Sequence, residues 1–263
     1  MKNSEDRVKK AIKKIKEITA HPDIIPGIHN YCDRWCERCT HTKHCSVFKM
    51  EEFHAQEGRS RDIENKEFWD DVSLNFQVTA SLLKEMAEDA GFDLDAIDEA
   101  DLDEEEKRQK TAKNSRAVKL SRAYGLDGFN WFKKQETVFQ EKFELFLNIK
   151  PEILEDLKEA VEVVQFYMMF IGAKTYRACI PPIEIEGVEN EDCKGSAKIA
   201  IIAIERSMGS WVKIMDAFPE FEDNILDFLK TLSKVKKLLL AKFPDAMEFK
   251  RPGFDYIPEK LTD

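Results

Sequence analysis

Soft metal ligands are concentrated in one short stretch of the chain, NYCDRWCERCTHTKHC at positions 30–45. Four of the six cysteines lie there, with the spacing C-x3-C-x2-C-x5-C at Cys32, Cys36, Cys39 and Cys45. All five histidines fall within the first 54 residues. Four thiolates so close together would repel one another strongly unless a cation neutralised them. The stretch therefore predicts a metal site with these four cysteines as ligands.

A simpler interpretation treats the cysteines as small buried apolar side chains. That interpretation suits Cys179 and Cys193, which stand apart from the loop. It does not suit the loop, because charged and polar residues separate the four thiols there. These residues are Asp33, Arg34, Glu37, Arg38, Thr40 and Lys43. Redox-active disulfides remain a further alternative for the loop.

Two kinds of metal centre take four cysteines, and the spacing leaves both open. Structural zinc takes four cysteines, or three cysteines and one histidine, in tetrahedral geometry. Only Cys36 and Cys39 form a C-x2-C pair here, so Cys45 or His44 would have to complete a zinc site. A [4Fe–4S] cluster has a larger core and takes four cysteines from one compact loop more readily. We therefore expect a [4Fe–4S] cluster in preference to Zn²⁺.

Parts of the loop resemble known cluster motifs. The C-x2-C-x5-C half, from Cys36 to Cys45, resembles the cluster loop of endonuclease-III-type DNA glycosylases, although the first gap here is three residues and not six. The C-x3-C-x2-C half, from Cys32 to Cys39, resembles the radical SAM signature. The nearby fourth cysteine and the absence of alternating strand and helix patterns depart from that family. Neither resemblance implies an activity for this chain.

Three longer strings together resemble an uncharacterised family of bacterial helical proteins. They are IPGIHNYCDRWCERCTHTKHC at 25–45, GSAKIAIIAIERS at 195–207 and RPGFD at 251–255. This resemblance extends over most of the chain. It implies a helical protein with an N-terminal cysteine cluster, and it implies no activity.

Charged residues within apolar helical segments form a second candidate site. Lys174 and Arg177 share a helix face with Tyr167, and Glu205 interrupts a nearly continuous apolar run. Because a helix that is apolar all round is buried, such charges should need partners. The sequence predicts either an ion pair of Lys174 or Arg177 with Glu205, or a pocket for a small ligand lined by all four residues. An enzyme or sensor would work at that pocket, and the cysteine loop would be accessory.

Helical periodicity dominates the rest of the chain and predicts an all-α fold. We expect a bundle of about seven helices with an irregular cysteine-rich loop near its N-terminus. Residues 1–60 would form the metal-binding segment, and residues 61–263 the bundle, in one compact unit with it. An apolar stripe from Phe68 to Ala90 marks one helix, and Ser196 is expected to cap another. Ile180–Val188 is the best strand candidate, although two prolines make it an edge strand or a loop.

Composition and charge restrict the class of protein. The 263 residues are 43% apolar and 35% charged, and the formal net charge is −10. This acidity argues against a general binder of nucleic acids or acidic membranes. No window is apolar enough for a membrane span, and the first twenty residues lack the apolar centre of a secretory signal. We expect a cytoplasmic protein, in which clustered thiols stay reduced.

An acidic stretch is followed directly by a basic one. Nine of the fourteen residues at 93–106 are acidic, and residues 107–122 contain seven Lys or Arg and no acid. We expect these charges to pair within the chain. A protein-interaction module that uses this charge-segregated helix is a third hypothesis. The sequence leaves open the substrate, the partner and the oligomeric state.

Overall fold

The computed structural model is all-α, as the periodicity predicts. It describes residues 2–56, 62–96, 99–183 and 191–256, and these ranges contain eight α-helices and no β-strand. The helices are α1 (Lys2–Thr19), α2 (Ser46–Gln56), α3 (Lys66–Asp89), α4 (Glu99–Asn114), α5 (Arg116–Ile149), α6 (Pro151–Cys179), α7 (Asp192–Ala217) and α8 (Glu222–Lys242). Within these ranges no helix is long and apolar enough to cross a membrane. The strand candidate Ile180–Val188 has no strand at residues 180–183, and its remainder lies outside the described residues.

The chain divides into two compact units. The first comprises residues 1–104 and 250–263, and the second comprises residues 105–249. The division falls at residue 105 and not near residue 60, because α3 packs against α1. An ion pair of 3.2 Å joins Arg7 on α1 to Asp71 on α3. The cysteine loop therefore lies in a unit that is itself partly helical.

Large aromatic side chains fill the core of the second unit, where α5, α6, α7 and α8 pack together. Trp211 is fully buried, and its ring stacks on that of Phe228 with 4.8 Å between centroids. Trp131 contacts the edge of Trp211 at 5.5 Å and that of Phe221 at 5.1 Å. Burying each such ring contributes about 2–3 kcal/mol, so this cluster is a major source of stability for the unit.

Two helix starts show where local sequence signals succeed and fail. Pro151 lies in the first turn of α6, a position that a proline in the sequence favours because the missing N–H would have no helical partner there anyway. Ser196 does not cap α7, so that prediction is wrong. The helix begins at Asp192, whose negative charge suits a helix N-terminus, and Ser196 lies inside the helix and fully buried.

The predicted apolar stripe of α3 faces away from the packed side of the helix. Phe76 is 73% exposed and Met86 is 66% exposed. The buried side chains of α3 are instead Leu74 and Val78, which lie beside residues of α1. The expected helix is present, but its most regular apolar face does not pack within the described structure.

Candidate metal centre

Buried isoleucines anchor the cysteine loop to the first unit. Ile24, Ile25 and Ile28 are each less than 5% exposed. Gly27 has a φ of 73°, a conformation that favours glycine and turns the chain between Ile25 and Ile28. The N–H of Ile25 donates to the carbonyl of His44 across 3.0 Å. This bond holds the start of the loop beside its end.

The four loop cysteines surround one small cavity of about 20 Å³. A space of this size holds about one water-sized group. The lining includes Cys32, Cys36, Cys39 and Cys45, with His29, His41, Ile28, Trp35, Phe48 and Phe254. The structure thus brings together the four thiols that the spacing singled out. Cys179 and Cys193, which stood apart in the sequence, belong to the second unit.

Two single-turn 3-10 helices set the positions of two of these thiols. The first turn is Cys36–Arg38, and the N–H of Cys39 donates back to its first carbonyl across 3.2 Å. The second turn is Thr42–His44, and the N–H of Cys45 donates in the same way across 3.3 Å. Each cysteine therefore follows directly after a closed turn, which fixes its backbone.

A backbone donor is aimed at one of the sulfurs. The N–H of His41 donates to Sγ of Cys39 across 3.4 Å. The contact fixes this sulfur relative to the backbone that leads into the second turn.

Arg34 has an unfavourable backbone conformation between two of the cysteines. Its φ of 63° makes it the one non-glycine residue with a positive φ in the described part of the chain. This conformation costs about 1–2 kcal/mol and persists only where its surroundings hold it. Arg34 lies midway between Cys32 and Cys36, where the chain turns so that both thiols face the same cavity.

Trp35 forms one wall of the cavity and is 7% exposed. The backbone N–H of Trp35 donates to the carboxylate of Asp33 across 3.2 Å, which orients the residue in a tight local turn. The guanidinium of Arg38 lies 4.1 Å from the centre of the indole ring, a cation–π contact. Trp35 therefore lines the cavity, whereas Tyr31 is half-buried and is not part of the lining.

Burial and nearby negative charge oppose ionisation of Cys32 and Cys36. Burial is the main cause that raises the pKa of Cys32. Burial raises the pKa of Cys36 to about 11, with further contributions from Glu51 and from the other three loop cysteines. These two thiols therefore keep their protons near pH 7 unless a cation displaces them. The same repulsion shows that the four sulfurs lie close enough to influence one another.

The four loop thiols are available as ligands, but they do not converge on a single point. All six cysteines are free thiols, so no disulfide competes for the loop. Among the described residues, no three His, Cys, Asp or Glu side chains converge closely enough to hold a single ion. The thiols surround the cavity and do not meet at one point. A multi-iron core binds each thiolate to a different iron, whereas zinc would require sulfurs about 2.3 Å from one position.

Two loop histidines have different surroundings. The Nδ1 atom of His44 lies 2.8 Å from the carbonyl oxygen of Asp23, so this ring holds the loop to the preceding segment. His41 lines the cavity, and its ring meets the edge of Phe254 with 4.8 Å between centroids. Burial lowers the pKa of His41 and so favours the neutral ring. Phe254 lies more than 200 residues from the loop in sequence, and no spacing signal connected the two.

The second predicted site separates into individual contacts. Tyr167 is fully buried, and its hydroxyl accepts a hydrogen bond of 2.6 Å from Arg206. Lys174 is half-buried, with its ammonium 5.5 Å from the centre of the Phe170 ring. Glu205 is exposed. Four cavities in the described part of the chain, including the one at the cysteine loop, are lined by residues other than these four.

The ion pair predicted for this site is also replaced by two others. Arg177 forms a two-pronged pair with Asp192, with distances of 2.9 Å and 2.6 Å. Glu205 pairs with Lys236 across 2.7 Å. The prediction failed because it considered only charges inside the apolar stretches of α6 and α7. Asp192 lies at the N-terminus of α7, before its apolar stretch, and Lys236 lies on α8.

Comparisons with known proteins leave the geometry of the site as the basis for function. Protein-family models, curated proteins and solved structures gave no match to this chain.

Proposed function

We propose that this chain is a metal-binding protein in which Cys32, Cys36, Cys39 and Cys45 hold one metal centre. The observation that supports the proposal is the arrangement of all four thiols around a single cavity within a strained, hydrogen-bonded loop. A bound cation would neutralise thiolates that otherwise repel one another. A site closed by four cysteines leaves no position for substrate, so the role is structural or electron-transferring and not Lewis-acid catalysis.

The centre proposed is a [4Fe–4S] cluster in preference to a zinc ion. The preference rests on the spacing, because four cysteines in one compact loop with a single C-x2-C pair suit a cluster more readily than zinc. Trp35 and Phe254 restrict water at the site, and solvent exposure is one factor that sets the reduction potential of a cluster. With a cluster bound, the site would supply one-electron transfer, whereas zinc would supply only a fixed loop. Free thiols throughout the chain suit a reducing compartment such as the cytoplasm.

The test is the metal content and absorption spectrum of protein purified without oxygen. A cluster predicts about four irons per chain and a broad band near about 400 nm. Zinc predicts about one metal per chain and no colour. Cys39→Ser should abolish this metal content, whereas Cys193→Ser, which alters a half-buried thiol in the second unit, should leave it unchanged. Protein that holds no metal in any of these preparations would refute the proposal.

A further inference from the structure

A regular apolar seam runs along the exposed side of α3, and the metal centre does not use it. Two sets of residues repeat every seven positions, offset by three, which is the a and d pattern of a coiled coil. The α3 seam consists of Trp69, Val72, Phe76, Thr79, Leu83 and Met86. The pattern continues through most of the 24-residue helix. Repeats of this kind are a signal for packing against another helix.

The α3 seam is open to solvent in the described structure. Trp69 is 58% exposed, Phe76 73%, Leu83 55% and Met86 66%. Leu74, which packs beside α1, lies at the f position, on the opposite side of the helix from the seam. The packing of α1 therefore leaves the seam uncovered. These four side chains together offer roughly 500 Å² of apolar surface, within the range at which surface patches are often functional.

The residues beside the seam are small or uncharged. Between Trp69 and Met86 the e positions are Ser73 and Ala80, and the g positions are Asn75 and Leu82. Charges at e and g normally select a different partner helix or repel an identical one. Their absence lets two identical seams meet without like-charge repulsion, and the small e residues allow close approach.

We propose that the α3 seam is a homodimer interface, in which α3 of one chain packs on α3 of a second copy. A two-fold axis would let each seam bury the other. The buried surface is at the small end of specific interfaces, which predicts a dimer of micromolar affinity. With six acidic and two basic residues in all, α3 is negatively charged, which disfavours an anionic lipid surface as the occupant.

Sedimentation velocity over a concentration range of about 1 to 200 µM tests the proposal. Wild-type protein should convert from monomer to dimer within this range. Phe76→Glu places a charge in the seam of both copies and should weaken dimerisation at least about a hundredfold. Gln77→Glu adds the same charge one residue away, at the b position, and should change the affinity less than about twofold. Phe76→Leu keeps an apolar seam and should keep the dimer.

Three outcomes would overturn the proposal. Wild-type protein could remain monomeric at every concentration. The Phe76→Glu variant could dimerise as strongly as the wild type, which would place the interface elsewhere. The wild type could remain monomeric while Phe76→Glu lowers the free energy of unfolding. That result would mean that another part of the same chain packs on the seam. Metal-free and metal-loaded protein should dimerise alike, so failure here and failure of the metal proposal are distinguishable.

Discussion

The backbone N–H of His41 points at Sγ of Cys39 from 3.4 Å. This single contact connects the two 3-10 turns of the cysteine loop, because His41 directly precedes the second turn and Cys39 directly follows the first. The contact therefore joins the two halves of the loop. Removal of the proposed metal should loosen the loop before it affects the helices.

Metal removal should produce a local change in hydrogen exchange. If a chelator strips the proposed metal, the thiols should take up protons and the loop should lose the cation that the proposal places between its sulfurs. Backbone amides at residues 28–46 should then exchange much faster, while amides of α5 to α8 keep their protection. Hydrogen–deuterium exchange followed by mass spectrometry measures both regions at once. Equal protection of the loop with and without metal would contradict this prediction.

Substitutions at Arg34 should report the backbone strain of the loop. Arg34→Gly removes the steric penalty of φ 63° but adds chain entropy, so the free energy of unfolding should change by less than about 0.5 kcal/mol. Arg34→Val places a branched side chain in the same conformation and should destabilise the loop by about 1–2 kcal/mol. Chelator competition measures the metal affinity of each variant, and the difference in loop stability should appear as a difference in affinity. Equal affinities for the two variants would show that Arg34 is not held in this conformation.

Tyr124 should make the stability of the second unit sensitive to alkaline pH. Burial raises the pKa of this phenol far above its ordinary value of about 10. Because the folded pKa is the higher one, the stabilising contribution is complete below about pH 10 and is lost as pH rises further. Tyr124→Phe removes the hydroxyl that accepts a 2.9 Å hydrogen bond from Trp211, and should cost about 1–2 kcal/mol at pH 8.

The gap between wild type and Tyr124→Phe should narrow by about 1 kcal/mol between pH 8 and pH 11, since only the wild type loses this contribution. Urea unfolding at the two pH values measures the gap. Tyr256→Phe, at a ring that is 47% exposed, is the matched control. A gap for Tyr124→Phe that stays constant with pH would contradict the assignment.

Two glycine-to-alanine substitutions should have opposite effects on stability. A Cβ atom at Gly125 on α5 would lie 2.8 Å from the backbone oxygen of Met168 on α6, so the two helices would have to separate. Gly125→Ala should therefore destabilise the second unit by about 1–3 kcal/mol. Gly209 on α7 has open space around the same position, and Gly209→Ala should stabilise by about 0.5–1 kcal/mol. Thermal unfolding followed by circular dichroism measures the stability of both variants. A Gly125→Ala variant as stable as the wild type would refute the close helix contact.

The sequence was sufficient for the helices and for the grouping of the loop thiols. Apolar periodicity is a local property, so the helix from Phe68 onward and the Pro151 start were both predictable. The same periodicity could not say which face of α3 is buried, and Leu74 and Val78 are buried in place of the more regular seam. Burial depends on which other helix is nearby, and the residue spacing within one helix does not show which helix that is.

The contact partners of charged and aromatic residues could not be predicted from the sequence either. The sequence predicted an ion pair of Lys174 or Arg177 with Glu205, but Asp192 lies much closer to Arg177 along the chain and pairs with it across a helix boundary. Phe254 joins the wall of the cysteine cavity through a contact spanning more than 200 residues. Contacts of this kind follow from the tertiary fold, whereas the cysteine cluster was visible because its members are neighbours in sequence.

X-ray absorption at the metal edge of anaerobically purified protein tests the central claim most directly, because it reports which atoms surround the metal. We predict four sulfur neighbours at about 2.3 Å, with a second shell of iron when the centre is a cluster. Cys39→Ser should lose this signal, and Cys193→Ser should keep it. A first shell of oxygen or nitrogen without four sulfurs would contradict a centre held by Cys32, Cys36, Cys39 and Cys45.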